Sequence, residues 1–138
     1  MTINYEVVRT LLTNQLKTVA TLPAFQAENT RLVAPVSAPW CRLSLLPASP
    51  NPLTVGPNAR FEHIGIAQID LFYPQDGGTT APQAMGSLVM QAMPPGFIAV
   101  SGNDNAHIRR TYQRPAYQVE RWYVVPVVVE WASFATAQ

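Results

Sequence analysis

The side chains of this chain that could do chemistry are few: two histidines, one cysteine and eight carboxylates. His63 and His107 have no cysteine or carboxylate at ligand spacing, which argues against a metal centre and for a solvated or interface role. Cys41 alternates with Leu43 and Leu45, so it reads as a small buried hydrophobe rather than a nucleophile. As the sole cysteine it excludes an intrachain disulfide. No Gly-x-Ser-x-Gly elbow is present. Asp76-Gly77-Gly78-Thr79-Thr80 precedes an expected helix and suggests an anion site at its N-terminus. The run lacks the lysine and glycine spacing of a phosphate-binding loop, and a strand-to-helix turn with an N-cap accounts for it. Among the acids (Glu6, Glu28, Glu62, Asp70, Asp76, Asp104, Glu120, Glu130), no local pairing supports acid–base work. Glu120 and Glu130 read as the polar outer face of the last strand. The reading assigns no catalytic residue, no cofactor and no metal, and expects no enzyme.

Arg109, Arg110 and Arg114 are the one local basic cluster. By strand alternation Arg110 shares a face with Ile108 and Tyr112, and Arg109 takes the other. Three readings stay open: charges guarding a strand edge, ion pairs to a neighbouring subunit, or proximity to DNA. The formal net charge is only +1, without the broad basic excess of a nucleic-acid binder.

The elements that must position these residues follow from periodicity. Tyr5, Val8, Leu12, Leu16 and Val19 recur at spacings of three and four, predicting a helix over residues 4–20 with Asn4 as its cap. Leu22-Pro23 ends it, and prolines 23, 35 and 39 break any pattern up to residue 39. A strand is expected from Trp40 to Leu46. Residues 47–60, with prolines 47, 50, 52 and 57, read as an extended arm or long hairpin reversing near Gly56-Pro57-Asn58. A long strand from Phe61 to Tyr73 follows, then the turn and a second helix in which Thr80 and Gln83 have capping-box spacing. Pro94-Pro95-Gly96 stops it. Strands are expected at Phe97–Val100, His107–Gln113 and Gln118–Trp131. In the last, Val119, Tyr123, Val125, Val127, Val129 and Trp131 share one face, while Glu120, Trp122, Val124, Val128 and Glu130 share the other. Pro126 donates no hydrogen bond, so the strand needs an edge, a bulge or a covered end there.

The sum is a single α+β domain over residues 1–138: a mostly antiparallel four- to five-stranded sheet, two helices on one face, and a proline-rich hairpin arm. A chain of 138 residues buries roughly two-thirds of its unfolded surface. Only 12% of residues are charged, against about a quarter in typical soluble domains. A surface so poor in charge suits burial against other subunits. No run reaches the ~20 apolar residues that cross a bilayer, and Met1–Tyr5 lacks a signal peptide's basic and apolar regions, so folding in a cytoplasm is expected, without a membrane.

The order of segments resembles a known family. It runs from the N-terminal helix through Pro23-Ala24-Phe25-Gln26-Ala27-Glu28-Asn29 and Pro39-Trp40-Cys41-Arg42-Leu43 to Leu46-Pro47-Ala48 and Leu53-Thr54-Val55-Gly56. Then come Gly65-Ile66-Ala67-Gln68-Ile69-Asp70-Leu71-Phe72-Tyr73-Pro74, Arg114-Pro115-Ala116 and Arg121-Trp122-Tyr123-Val124-Val125-Pro126-Val127. This is similar to the tail terminators of bacteriophages with long non-contractile tails; Cys41 and Ala67 are smaller than that pattern leads one to expect. The resemblance implies a virion protein, a homo-oligomeric ring, expected to be a hexamer, at the head-proximal end of the tail. Its implied partners are the tail tube protein and the head–neck connector, with DNA passing through the lumen without specific binding. Candidate interface residues are Leu53, Thr54, Val55 and Arg60 on the arm, Gln68 and Asp70 on the long strand, and Asp76 in the turn. Arg109, Arg110, Arg114, Glu120 and Trp122 complete the set. The competing readings are another neck, tail-completion or tube component, and a small ligand-binding domain or enzyme with Tyr112, Tyr117, Trp122 and Tyr123 around a pocket.

Overall fold

A computed structural model of the chain describes residues 4–30, 37–56 and 59–136. Helix α1 spans Tyr5–Leu16 and ends four residues before the expected end at residue 20. The Asn4 side chain caps it by accepting the Glu6 N–H at 3.0 Å, and Val8, Leu12 and Leu16 form its buried stripe. Short strand β1 (Ala24–Gln26) pairs in parallel with β2 (Trp40–Pro47). Two-residue strand β3 (Asn51–Pro52) and long strand β4 (Arg60–Pro74) come next, then α2 (Thr80–Ala92). The chain closes with β5 (Ile98–Ser101), β6 (Asp104–Gln113), β7 (Tyr117–Val119) and β8 (Trp122–Thr136).

These form one eight-stranded sheet ordered β1-β2-β4-β8-β6-β5, with β3 beside β4 and β7 beside β8. It is mostly antiparallel, as expected, but has more than the four to five strands anticipated. Inward residues of β2 (Cys41, Leu43, Leu45), β4 (Ala67, Ile69, Leu71) and β8 (Val125, Val127, Val129, Trp131) make the core with both helices. Both helices therefore lie on one face. Cys41 and Ala67, the two small residues, are fully buried there. A second cluster on the helix-free face stacks Trp40 on Phe72 across β2 and β4, with centroids 3.9 Å apart and Trp122 edge-on to both.

Several expectations are corrected. The expected last strand from Gln118 is two strands: Val119 pairs with Trp122 around a reversal at Glu120 and Arg121, with Glu120 at φ +53°. Glu120 is thus a turn residue and not part of an outer strand face. Helix α2 begins at Thr80 itself, the proposed cap, so Thr79 takes the cap position instead and makes no side-chain capping bond. The excursion over residues 47–60 is partly tied to its own sheet, since Asn51 and Pro52 pair with Glu62 and Phe61. Leu53 N–H also donates to Arg60 at 2.8 Å. Of the proposed reversal, Gly56 has φ +105°, while Pro57 and Asn58 lie outside the described residues.

Two positions show why particular residues are needed. Pro126 lies in central strand β8 opposite Asp70, where β6 has ended at Gln113 and β7 has yet to start at Tyr117. Its carbonyl accepts the Arg114 N–H on that side, so its missing donor also faces the gap and no ladder bond is lost. Gly65 sits where β2, β4 and β8 crowd together. A Cβ there would lie 2.6 Å from Leu46 O, 2.8 Å from Trp131 Cζ2 and 2.9 Å from Pro47 Cα.

Candidate interaction surface

The helix-free face carries most of the polar residues singled out from the sequence, and a bulge decides how the arginines are shared out. Ile108 pairs with Trp131, but Arg110 pairs with Glu130, so Arg109 is the extra residue of a β-bulge. The interruption resets the alternation. Ile108 stays in the core, whereas Arg109 and Arg110 both turn to the helix-free face. The expectation that Arg109 and Arg110 take opposite faces, with Arg110 beside Ile108, is overturned by this one-residue insertion.

Both arginines find partners within their own chain. Arg109 bonds the Glu62 carboxylate on β4 and lies over the Phe134 ring at 5.7 Å. The hydrogen bond from Arg109 holds the Glu62 carboxyl below the usual range. Arg110 reaches Glu130 at 3.5 Å and covers Tyr112 at 4.6 Å. Arg114 is exposed beside the β6–β7 gap. Farther along the same face, Asp70 is buried by β2 and β8 and pairs with Arg42 at 3.5 Å. Gln68 donates to its other oxygen at 2.9 Å. Arg42 spans the Trp40 and Phe72 rings, so the aromatic cluster and the buried carboxylate share one cation. Of the candidate interface residues, Asp70 and Trp122 are therefore buried within the chain itself.

Gln68 is half-buried beside Asp70, and the other candidates are more open. Leu53 is about half exposed (49%) and Val55 almost wholly so (96%). Arg60 is exposed and donates its N–H to the Thr54 hydroxyl at 2.8 Å. Asp76 (φ +68°) and Glu120 occupy turns at the same end of the sheet, where the Gln75 side chain donates to the Glu120 carbonyl at 2.6 Å. Open apolar side chains on β5, Ile98 and Val100, had not been singled out. Their signal in the sequence was a strand without a single charge at its edge.

The groups considered for chemistry are dispersed. Burial pushes the Cys41 thiol up to about 12, slightly offset by Lys17, and its sulfur donates weakly to the Pro23 carbonyl at 3.6 Å. His63 is buried against Tyr5, and desolvation lowers its pKa. His107 meets Phe134 edge-on; burial and then Arg109 lower its pKa. Among the described residues no three His, Cys, Asp or Glu side chains gather where a metal ion would fit. A groove of about 250 Å³ between α1 and β1 contains Arg9, Lys17, Phe25 and Glu28. There Arg9 already bonds Glu28 and Glu6, and Lys17 lies 5.0 Å over Phe25. Burial works against ionisation of Glu28, but hydrogen bonds from Arg9 and the Leu45 N–H outweigh it and leave its pKa lowered. The proposed aromatic pocket does not form as one site: Tyr123 packs toward the helix-side core, and Trp122 joins the cluster on the other face.

Nine solved chains resemble this one. One of them has a TM-score of 0.74 and 14% sequence identity, with 96% of each chain covered, a likeness that concerns the fold alone. None of the curated protein sequences matches. The family model of the phage tail terminator protein matches residues 7–131, from α1 through most of β8. The chain is thus a member of the phage tail terminator protein family, a family of structural tail components of the virion.

Proposed function

We propose that this chain closes into a ring, of six copies by family resemblance, on the head-proximal end of the tail tube. There it ends tube polymerisation and offers its outer side to the head–neck connector, while DNA passes through the lumen. The observation that carries this reading is the family match over nearly the whole chain. The physical character of the molecule supports it. A cap needs one side that fits the tube and another that does not, and a ring of head-to-tail contacts presents two different sides. The chain has few surface charges, an open sheet edge and an exposed apolar loop, features suited to burial between subunits. Its arginines at positions 109 and 110 are held by carboxylates of the same chain, which suits a lumen that lets DNA slide without gripping it.

The test is omission. Bacteria producing the tail components without this chain should accumulate tubes of irregular, excessive length that fail to join heads, and supplying the chain should restore one length. Tubes of normal length joined to heads in its absence would refute the proposal.

A further inference from the structure

Large apolar side chains left exposed include three pairs at the margins of the sheet: Leu53 and Val55 between β3 and β4, Ile98 and Val100 on β5, and Tyr117 and Val119 on β7. Val55 at 96% and Val100 at 65% are the most open. Strand β5 ends the sheet path, so its outer main-chain groups face no strand among the described residues. Such edges are usually guarded by a lysine, a proline or a bulge within the strand. Ile98-Ala99-Val100-Ser101 has none of these. Because Ile98 and Val100 pair with His107 and Asn105 while Ala99 meets core residue Ala106, both open side chains stand on the helix-free face.

We infer that β5 of one copy is the seat for the start of the β3–β4 loop, Leu53–Gly56, of the next, with Leu53 and Val55 lying on Ile98 and Val100. This deepens the ring proposed above and rests on it. Charge selects the pairing. Residues 47–59 contain no ionisable side chain, and neither do residues 93–103. Joining these two segments takes no charge out of water, a step that is costly when a charge goes unpaired. The third pair, on β7, is bracketed by Arg114, Glu120 and Arg121, which the neutral loop would strip of water without offering partners.

Placement agrees. The loop leads into β4 at Arg60, which pairs with Thr136 at the end of β8. The Asn105 side chain joins Phe134 of β8, and Val100 pairs with Asn105. Loop and edge therefore lie at the same end of the sheet. Three strand spacings separate β4 from β5, about 14 Å, so the two patches stand apart on one subunit. Two different patches at one height are what a pure rotation repeats, and contacts between different patches close into a ring. Each contact is small, and closure sums them.

The test uses the full chain in a Cys41→Ala background, with Val55→Cys and Val100→Cys made separately and together; both sites are exposed, so folding is spared. After oxidation at assembling concentrations, mixing the two single variants should give covalent dimers that neither gives alone. The double variant should give covalent oligomers ending at one closed size. Self-linking of V100C alone would overturn the inference in favour of two edges meeting across a two-fold axis. Closed rings visible by electron microscopy without any V55C–V100C link would overturn it and leave the ring standing. A covalent ladder without upper limit would sustain the contact and sink the ring.

Discussion

Replacing Gly65 by alanine adds one carbon atom, and the structure sets the size of the damage. The new Cβ would lie 2.6 Å from the Leu46 carbonyl oxygen and 2.9 Å from Pro47 Cα, both backbone atoms of the neighbouring strand, and 2.8 Å from the Trp131 ring. An ordinary contact needs about 3.5 Å or more. The ring could tilt, but the two backbone atoms move only if β2 separates from β4, and Leu46 and Pro47 are paired with Ile66 and Gly65 there. Overpacking against side chains costs typically 1–3 kcal/mol, and backbone obstruction places this case at about 3 kcal/mol or more. With an unfolding entropy of about 2.1 cal/mol/K per residue, 3 kcal/mol lowers Tm by roughly 10 °C in a domain of this length. Thermal melts followed by circular dichroism on G65A and the parent measure this directly. A G65A variant melting within 2 °C of the parent would refute the crowding of β2, β4 and β8 around this residue.

Two further predictions concern buried titratable groups. His63 is buried with neither ring nitrogen hydrogen-bonded, and its pKa is lowered below the ordinary 6.5, so the unfolded chain takes up its proton first as pH falls. The stability His63 provides is thus full above about pH 6.5, declines below it and levels off once pH passes the folded-state pKa. Denaturation from pH 8 to 5 should show that decline, and His63→Phe should show less of it, the remainder coming from His107; an unchanged profile would contradict the burial argument. The Cys41 thiol, raised to about 12, should react with a thiol reagent at pH 8 only as fast as the chain opens, and rapidly once denatured; prompt reaction in the native protein would contradict its burial.

Much of the architecture was legible because three strands alternate cleanly. Cys41, Leu43 and Leu45, then Ile69 and Leu71, then Val125, Val127, Val129 and Trp131 form the core that their spacing predicts. Asn4 and the stripe Val8, Leu12 and Leu16 announced α1. What escaped notice was held by tertiary contact rather than local pattern. Strand β1 is three residues long and exists only by pairing with β2; β3 is two residues borrowed by β4. The reversal at Glu120-Arg121 lacks the glycine or asparagine that marks a tight hairpin, so the residue pattern runs on as one long strand across it. The bulge at Arg109 leaves no trace in a period-two reading, because a single inserted residue looks like continued alternation. The candidate interface was partly legible. Leu53 and Val55 were found from the proline-rich context, whereas Asp70 and Trp122 looked available until β2 and the aromatic stack closed over them. The one sign of the β5 edge in the sequence, a strand without charge, does not separate an edge from a buried strand; sheet order decides that.

The central claim is that this polypeptide works by capping the tail. Imaging tails in which the chain bears an electron-dense label at its C-terminus tests it most directly. A single annulus of label is expected at the end of the tube nearest the head, on every completed tail and nowhere else. Label repeated along the tube, or confined to the distal tip, would contradict it.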